Sequence, residues 1–342
     1  MSKGHTLKQL RTLAVSALAV LALPLAACGS EASTDTSSPS GAAEDLGTLK
    51  VGLSVPVMAF APFFWAEAQD TWGDLGLDVE IIEFKAPADG VQAFVGGAVD
   101  VSSAGLNGAV NLINEGHDVK VFWAGMNAAD FAWYGKPEYR TLEDAKGGTF
   151  GVSSHGALDN LVLDAIASGR GLTPGEDLKY QQVGATANGI AALRAGTLDV
   201  ALVSPPTKYQ IAEEGFTELA TQAEELAPEW PKEVVYAKAE TITAKEDQLV
   251  ALADGLADAI TWARDNADEA SKVLADRFKV EQKYGAAAYE ELMPTFYEDG
   301  RLPSDAGMEA FWKAMVSAEA ADVDAPWELD KWWTDEIRDA RG

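Results

Sequence analysis

The chain has 342 residues, 26 basic and 54 acidic, for a formal net charge of −28, and 47% of its residues are hydrophobic. That balance excludes nucleic acid as a partner, because a phosphate backbone demands cationic neutralisation, and it leaves apolar material for two lobes of ordinary domain size. The single cysteine, Cys28, rules out a disulfide framework and any cysteine-based metal site.

Lys3, Lys8 and Arg11 open the chain without an acid, and an uncharged apolar run follows over 13–25. Such a run is short for a membrane span and suits the hydrophobic region of a secretory signal. Ala26 and Ala27 precede the cysteine, so Leu25-Ala26-Ala27-Cys28 resembles the lipobox of bacterial lipoproteins. The resemblance implies a signal peptide over 1–27 and lipid on Cys28 as the mature N-terminus. It further implies an extracytoplasmic protein anchored to the bacterial cell membrane. A plain signal peptide with an incidental cysteine is the competing reading. Residues 28–47 read as a tether, since 31–45 is rich in Ser, Thr, Ala, Pro and Gly and holds too few large apolar side chains to offset the entropy of ordering.

From Leu49 onward the chain repeats itself. A shift of 99 lays residues 51–106 on 150–205 without a gap, with 13 identities in 56 positions, among them Gly52 on Gly151, Gly97 on Gly196 and Asp100 on Asp199. Each copy reads as strand, helix, strand, helix, strand. The first helices fall at 62–72 and 158–168, and the second end at Gly97 and Gly196, as helices often end at glycine. Alternation of strand and helix predicts parallel sheets with right-handed crossovers. The expected fold class is therefore α/β in two lobes, each a mostly parallel sheet flanked by helices, with the ligand cleft between them. Lobe one takes 48–130, lobe two 131–234, and 235–342 returns to lobe one and adds C-terminal helices. "VKVFWAGMNAADFAWYGKPEYR" should cross between lobes, and "LAPEWPKEVVYAKAETI" should cross back.

Open α/β sheets bind ligands beyond the carboxyl ends of their strands. That rule selects the loops 54–61, 86–90 and 104–108 of lobe one. In lobe two it selects 153–159, 184–189 and 204–207.

"LKVGLSVPVMAFAPFFWAEAQDTWGDLGLDVEI", "GAVDVSSAGLNGAVNLINEGHDVKVF" and the run from "LEDAKGGTFGVSSHGALDN" to "LDVALVSPP" resemble the substrate-binding proteins of ABC importers. The resemblance is to the nitrate/sulfonate/taurine and thiamine-pyrimidine-precursor group, with the periplasmic binding protein type 2 fold, and covers about residues 49 to 276. It implies a monomer that closes on a small solute and delivers it to an ABC permease with its ATPase, without a cofactor and without catalysis. A lipoprotein that senses a ligand through another membrane protein would look the same in sequence. Some relatives that resemble this group synthesise the pyrimidine with a cysteine-rich motif, which is missing after Cys28.

Within the selected loops, Ser153, Ser154, His155 and Gly156 stand before a helix start, where outward N–H groups and hydroxyls favour an anion. Helix capping is the alternative for the serines. Phe60, Ala61 and Trp133 are the candidate apolar contacts, although core packing is the usual fate of aromatics. Gly105, Leu106, Asn107, Ala185 and Asn188 complete the two middle loops, and Ser204 and Pro205 should wall the end of the last strand. Asp100 and Asp199 read as structural. No basic side chain stands out as a clamp for an oxyanion, and no cluster of metal ligands is evident.

Overall fold

The computed structural model describes residues 44–54, 56–317 and 328–341. The signal run, Cys28 and the tether as far as residue 43 lie outside them.

The first repeat runs β1 Gly47–Leu53, α1 Ala61–Gln69, β2 Leu77–Glu83, α2 Pro87–Val95, β3 Val101–Gly105, α3 Leu106–Asn114 and β4 Val119–Met126. After β5, Ala132–Gly135, the second runs β6 Thr149–Val152, α4 Leu158–Gly169, β7 Lys179–Gln182, α5 Thr186–Arg194, β8 Val200–Val203, α6 Thr207–Glu213 and β9 Thr217–Thr221. Shifting α2 by 99 gives the bounds of α5 end for end. A short helix α7, Gln222–Glu225, then leads to β10, Glu233–Lys238.

Two five-stranded sheets result, ordered β2-β1-β3-β10-β4 and β7-β6-β8-β5-β9. In the first, β1 is parallel to β2 and β3. Only β10 runs against its neighbours, β3 and β4. In the second, β6 is parallel to β7 and β8, and β5 is the antiparallel strand between β8 and β9. Helices cover both faces, which is why the inner strand β8 is buried and apolar throughout rather than alternating. The fold is α/β with two lobes, and each sheet is mostly parallel, as the alternation of elements predicts.

The antiparallel strand of each sheet arrives from the other lobe. The chain leaves the first sheet at β4 and enters the second as β5; it leaves the second at β9 and re-enters the first as β10. The two crossings, 127–131 and 222–232, lie side by side. Lys232 N donates to Met126 O at 3.0 Å, Ala129 N to Pro228 O at 3.0 Å and Gln222 N to Phe131 O at 2.8 Å.

Repeat-equivalent residues do equivalent work. Asp100 Oδ2 accepts from Lys50 N at 3.0 Å, and Asp199 Oδ2 accepts from Thr149 N at 2.8 Å. Each carboxylate also meets a lysine beyond a crossing strand, Lys245 at 2.8 Å and Lys136 at 2.5 Å. The pair is structural, as its repeat position suggested. Gly52 and Gly151 are close-approach sites. A Cβ at Gly52 would stand 2.9 Å from the Phe84 ring, and one at Gly151 would stand 2.6 Å from Leu198.

After β10 the chain is helical: α8 Ala239–Ala244, α9 Glu246–Asp265, α10 Ala267–Phe278, α11 Gln282–Leu292, α12 Asp305–Ser317, α13 Leu329–Trp332 and α14 Glu336–Ala340. The first helices of this set pack on α1, and hydrogen bonds fix the seam. Trp65 Nε1 donates to Ala270 O and Trp72 Nε1 to Leu252 O, both at 3.1 Å. Burying such an indole is favourable only because its N–H finds a partner. The whole tail does not stay on lobe one, however. α12 lies against α4, with Phe311 and Met315 fully buried in the apolar cluster that holds Leu161 and Trp230. The last stretch returns to the first sheet, where Trp333 bridges Val121 and Thr334 N donates to Val121 O at 2.9 Å. That contact covers the outer edge of β4, which would otherwise offer unpaired backbone groups.

Candidate ligand cleft

A cavity lies where the strand ends of the two sheets face each other. Its walls take Ser54 and Val57 after β1, Pro87 and Val91 on α2, and Ala104, Gly105, Asn107 and Gly108 around the β3–α3 junction. From the second repeat come Ser153, Ala157, Leu158 and Asp159 before and on α4, Thr186 on α5, and Leu202 on β8. Phe131, Lys232 and Glu233 from the crossings close it. Its volume is about 80 Å³, several waters' worth at roughly 10–15 Å³ each. Apart from Val91, Leu202 and the crossing residues, every lining residue falls in a loop selected from the strand ends.

The lobes touch at the rim. Asn107 Nδ2 donates to Gly156 O at 3.4 Å. A Cβ at Gly105 would stand 3.4 Å from Leu158 and 2.7 Å from Asn107 Oδ1, so the absence of a side chain there permits the approach. The two lobes therefore meet at the mouth of the cleft.

The loop before α4 engages its own donors. Ser153 N donates to Asp159 Oδ2 at 2.6 Å, and Ser153 Oγ to Asp159 Oδ1 at 2.5 Å. Gly156 N donates to Asn160 Oδ1 at 3.1 Å. Asp159 therefore occupies the anion position that the helix start offers. Its burial pushes the carboxyl pKa up, against the hydrogen bonds from Ser153.

The crossings bring a charged group that the reading of the loops missed. Lys232 is 1% exposed, Asp130 5% and Glu233 6%. Lys232 Nζ forms an ion pair with Asp130 Oδ1 and stands 3.2 Å above the centre of the Phe131 ring. Asp130 Oδ2 and Glu233 Oε2 have no hydrogen-bond partner among the described residues. Burial drives the Lys232 pKa well below the ordinary lysine value, and burial raises Glu233 to about 8, although Lys232 pulls it down. The available signal was "PKEVVYA", in which two charges open a strand that is otherwise buried, and the lone acid in "NAADFAWYG" on the facing crossing.

Of the residues singled out in the sequence, Gly105, Asn107 and Ser153 border the cavity. Ser154 is half-buried beside them, and His155 and Gly156 are exposed at the rim, the imidazole edge-on to Tyr180 at 6.4 Å. Ala185 precedes α5, and Asn188 is exposed with Nδ2 donating to Val183 O at 2.9 Å. Ser204 and Pro205 are buried, and Ser204 O accepts from Thr207 Oγ1 at 3.0 Å. Phe60, Ala61, Leu106 and Trp133 sit in the apolar clusters and do not line the cavity. Phe60 packs edge-on against Phe63, and Trp133 against Phe131. Among the described residues no group of acids, histidines or cysteines could hold a metal ion, and no helix is long and apolar enough to cross a membrane.

The sequence profile of the NMT1-like family matches residues 42–276. No curated protein is matched. Solved structures share the fold across most of the chain. A Bordetella bronchiseptica protein is 24% identical with a TM-score of 0.73, covering 86% of this chain and 96% of its own. The nitrate-binding protein NrtA of Synechocystis is 15% identical with a TM-score of 0.68, covering 86% and 88%. The aliphatic sulphonate binding protein SsuA of Escherichia coli is 14% identical with a TM-score of 0.61, covering 80% and 85%.

Proposed function

The chain belongs to the NMT1-like family, and from that premise we propose that it is the extracytoplasmic solute-binding component of an ABC importer. It captures a small organic or oxyanion solute by lobe closure and hands it to a permease, without changing it chemically. One observation carries the reading: a small cavity is lined by the strand ends of both repeats and by both crossings. Paired crossings between two rigid lobes act as a hinge, and closure about them takes the solute out of water. Nitrate and sulphonate appear in the names of proteins that share the fold, which supports a ligand of that size. Lipid on Cys28 would hold the protein near its permease, and the tether would give it reach. Two acyl chains hold far more firmly than one.

The test is a thermal-shift screen of the full chain against nitrate, short sulphonates, short amines, amidines and heterocycles. A solute present at 100 times its Kd raises stability by about 2.7 kcal/mol. A screen of these classes with no shift removes the solute-binding reading. For the anchor, Cys28→Ala is expected to release the protein from membranes in a fractionation; continued membrane attachment of that variant contradicts lipidation.

A further inference from the structure

We propose that the cleft selects a small organic cation bearing N–H donors, an alkylammonium, amidinium or guanidinium, and that Glu233 Oε2 is its principal anionic contact. The proposal rests on the solute-binding reading and gives it a ligand class.

Glu233 opens β10 on the returning crossing, borders the cavity and is buried to 6% exposure. Its Oε2 has no donor among the described residues. A buried carboxylate oxygen without a partner is unfavourable, and native proteins keep such groups chiefly where a ligand, ion or water completes them. Asp130 Oδ2, on the opposite crossing, is a second acceptor in the same condition.

The donors around the cavity are in the reverse state. Lys232 Nζ pairs with Asp130 and sits on the Phe131 ring. Both donors of Ser153 go to Asp159, and Asn107 Nδ2 goes to Gly156 O. An oxyanion would compete with these bonds for Lys232, Ser153 and Asn107, whereas a cation meets a carboxylate oxygen that is open. Charge points the same way. Asp130, Asp159 and Glu233 outnumber Lys232, so a monovalent cation offsets part of the excess of buried acids. Burial lets Glu233 retain its proton in the free protein, and an N–H donor at Oε2 takes that proton's place. Val57, Val91 and Leu202 on the remaining wall suit a short alkyl body.

The experiment is isothermal titration of the full chain with n-propylammonium, acetamidinium and methylguanidinium, and with ethanesulphonate and nitrate as anions. At least one cation is expected to bind, and neither anion. Glu233→Gln is expected to weaken the cation at least tenfold; Glu233→Asp, which draws the carboxylate back by one methylene, carries the test should Glu233→Gln not fold, and weakens it less. Cation affinity equal to wild type in the folded variant overturns the proposal. Binding of an anion and of no cation overturns it while leaving a solute-binding protein. Silence across all five probes overturns it too, and counts against the solute-binding reading only if the broader thermal-shift screen is also silent.

Discussion

Lys232 and Asp130 are each buried to a degree that a charge tolerates only beside its opposite. Replacing Lys232 with Met leaves Asp130 uncompensated and is expected to destabilise by about 3–5 kcal/mol. Adding Asp130→Leu should recover most of that loss, and urea unfolding of the single and double variants checks it. Glu233 makes stability depend on pH. Burial raises its pKa from the ordinary glutamate value of 4.5 to about 8, so the folded state holds a proton that the unfolded state has released. Between those values the native form binds more protons, and stability falls as pH rises. Lys232 acts in the opposite sense, because its lowered pKa makes the unfolded state the one that holds more protons at higher pH. Tyr236, raised to about 12 mainly by burial, titrates outside this range. Asp159, also raised by burial, lines the same cavity. Between pH 5.5 and 7.5 the stability of wild type is therefore expected to fall relative to that of Glu233→Gln, read by unfolding both at each pH. A difference between them that does not change with pH would remove the Glu233 contribution. Lys232, Asp130 and Glu233 left a signal in the sequence, charges set in otherwise buried segments, but not their role, because a lysine and two acids near strand ends look like solvated groups until the partner crossing is placed beside them.

At the scale of elements, the repeat was the most legible feature. The shift of 99 located α5 from α2, and glycines with positive φ recur at Gly97 and Gly196, both near 74°, where the chain leaves those helices. The same logic places equal bonds in unequal surroundings. Asp199→Ala orphans the half-buried N–H of Thr149 and is expected to lower stability by about 1–3 kcal/mol in urea unfolding, whereas Asp100→Ala frees the exposed N–H of Lys50 to water and is expected to cost less. An Asp100→Ala loss equal to or larger than that of Asp199→Ala would contradict this. The aromatic loop residues were legible only in kind. Phe60 follows strand one, as a cleft residue should, but it lies in a single 3₁₀ turn whose three side chains all point inward. Trp133 belongs to a strand hydrogen-bonded on both sides, so its ring packs in the core instead of facing the cavity. Period and loop position alone do not say which side of a short turn meets the interior.

For the whole molecule, further contacts outside the cavity lining join the second repeat to the C-terminal helices. α6 follows the second sheet, and α11 belongs with the helices packed on lobe one. Between them Lys208 pairs with Glu291 at 2.6 Å, Tyr209 also bonds Glu291, and Lys283 meets Glu213 at 2.8 Å. Exposed pairs of this kind contribute little individually and weaken with salt. Glu291→Ala is expected to raise Kd about two- to fivefold through faster dissociation, with a smaller effect at high salt, read by stopped-flow release. Unchanged release at low salt would remove the latch. The path of α12 onto α4 was not legible, since an amphipathic stripe tells that a helix packs and not on what.

The late return of β10 has a consequence for anyone who cuts this chain. The second sheet is complete within 132–221, but the first is not: the slot between β3 and β4 is filled only by β10, more than a hundred residues later. A fragment ending at residue 130 would expose two naked sheet margins and is expected to precipitate on expression. Supplied with the piece that begins at residue 131, it should be rescued, because that piece brings the ribbon it lacks.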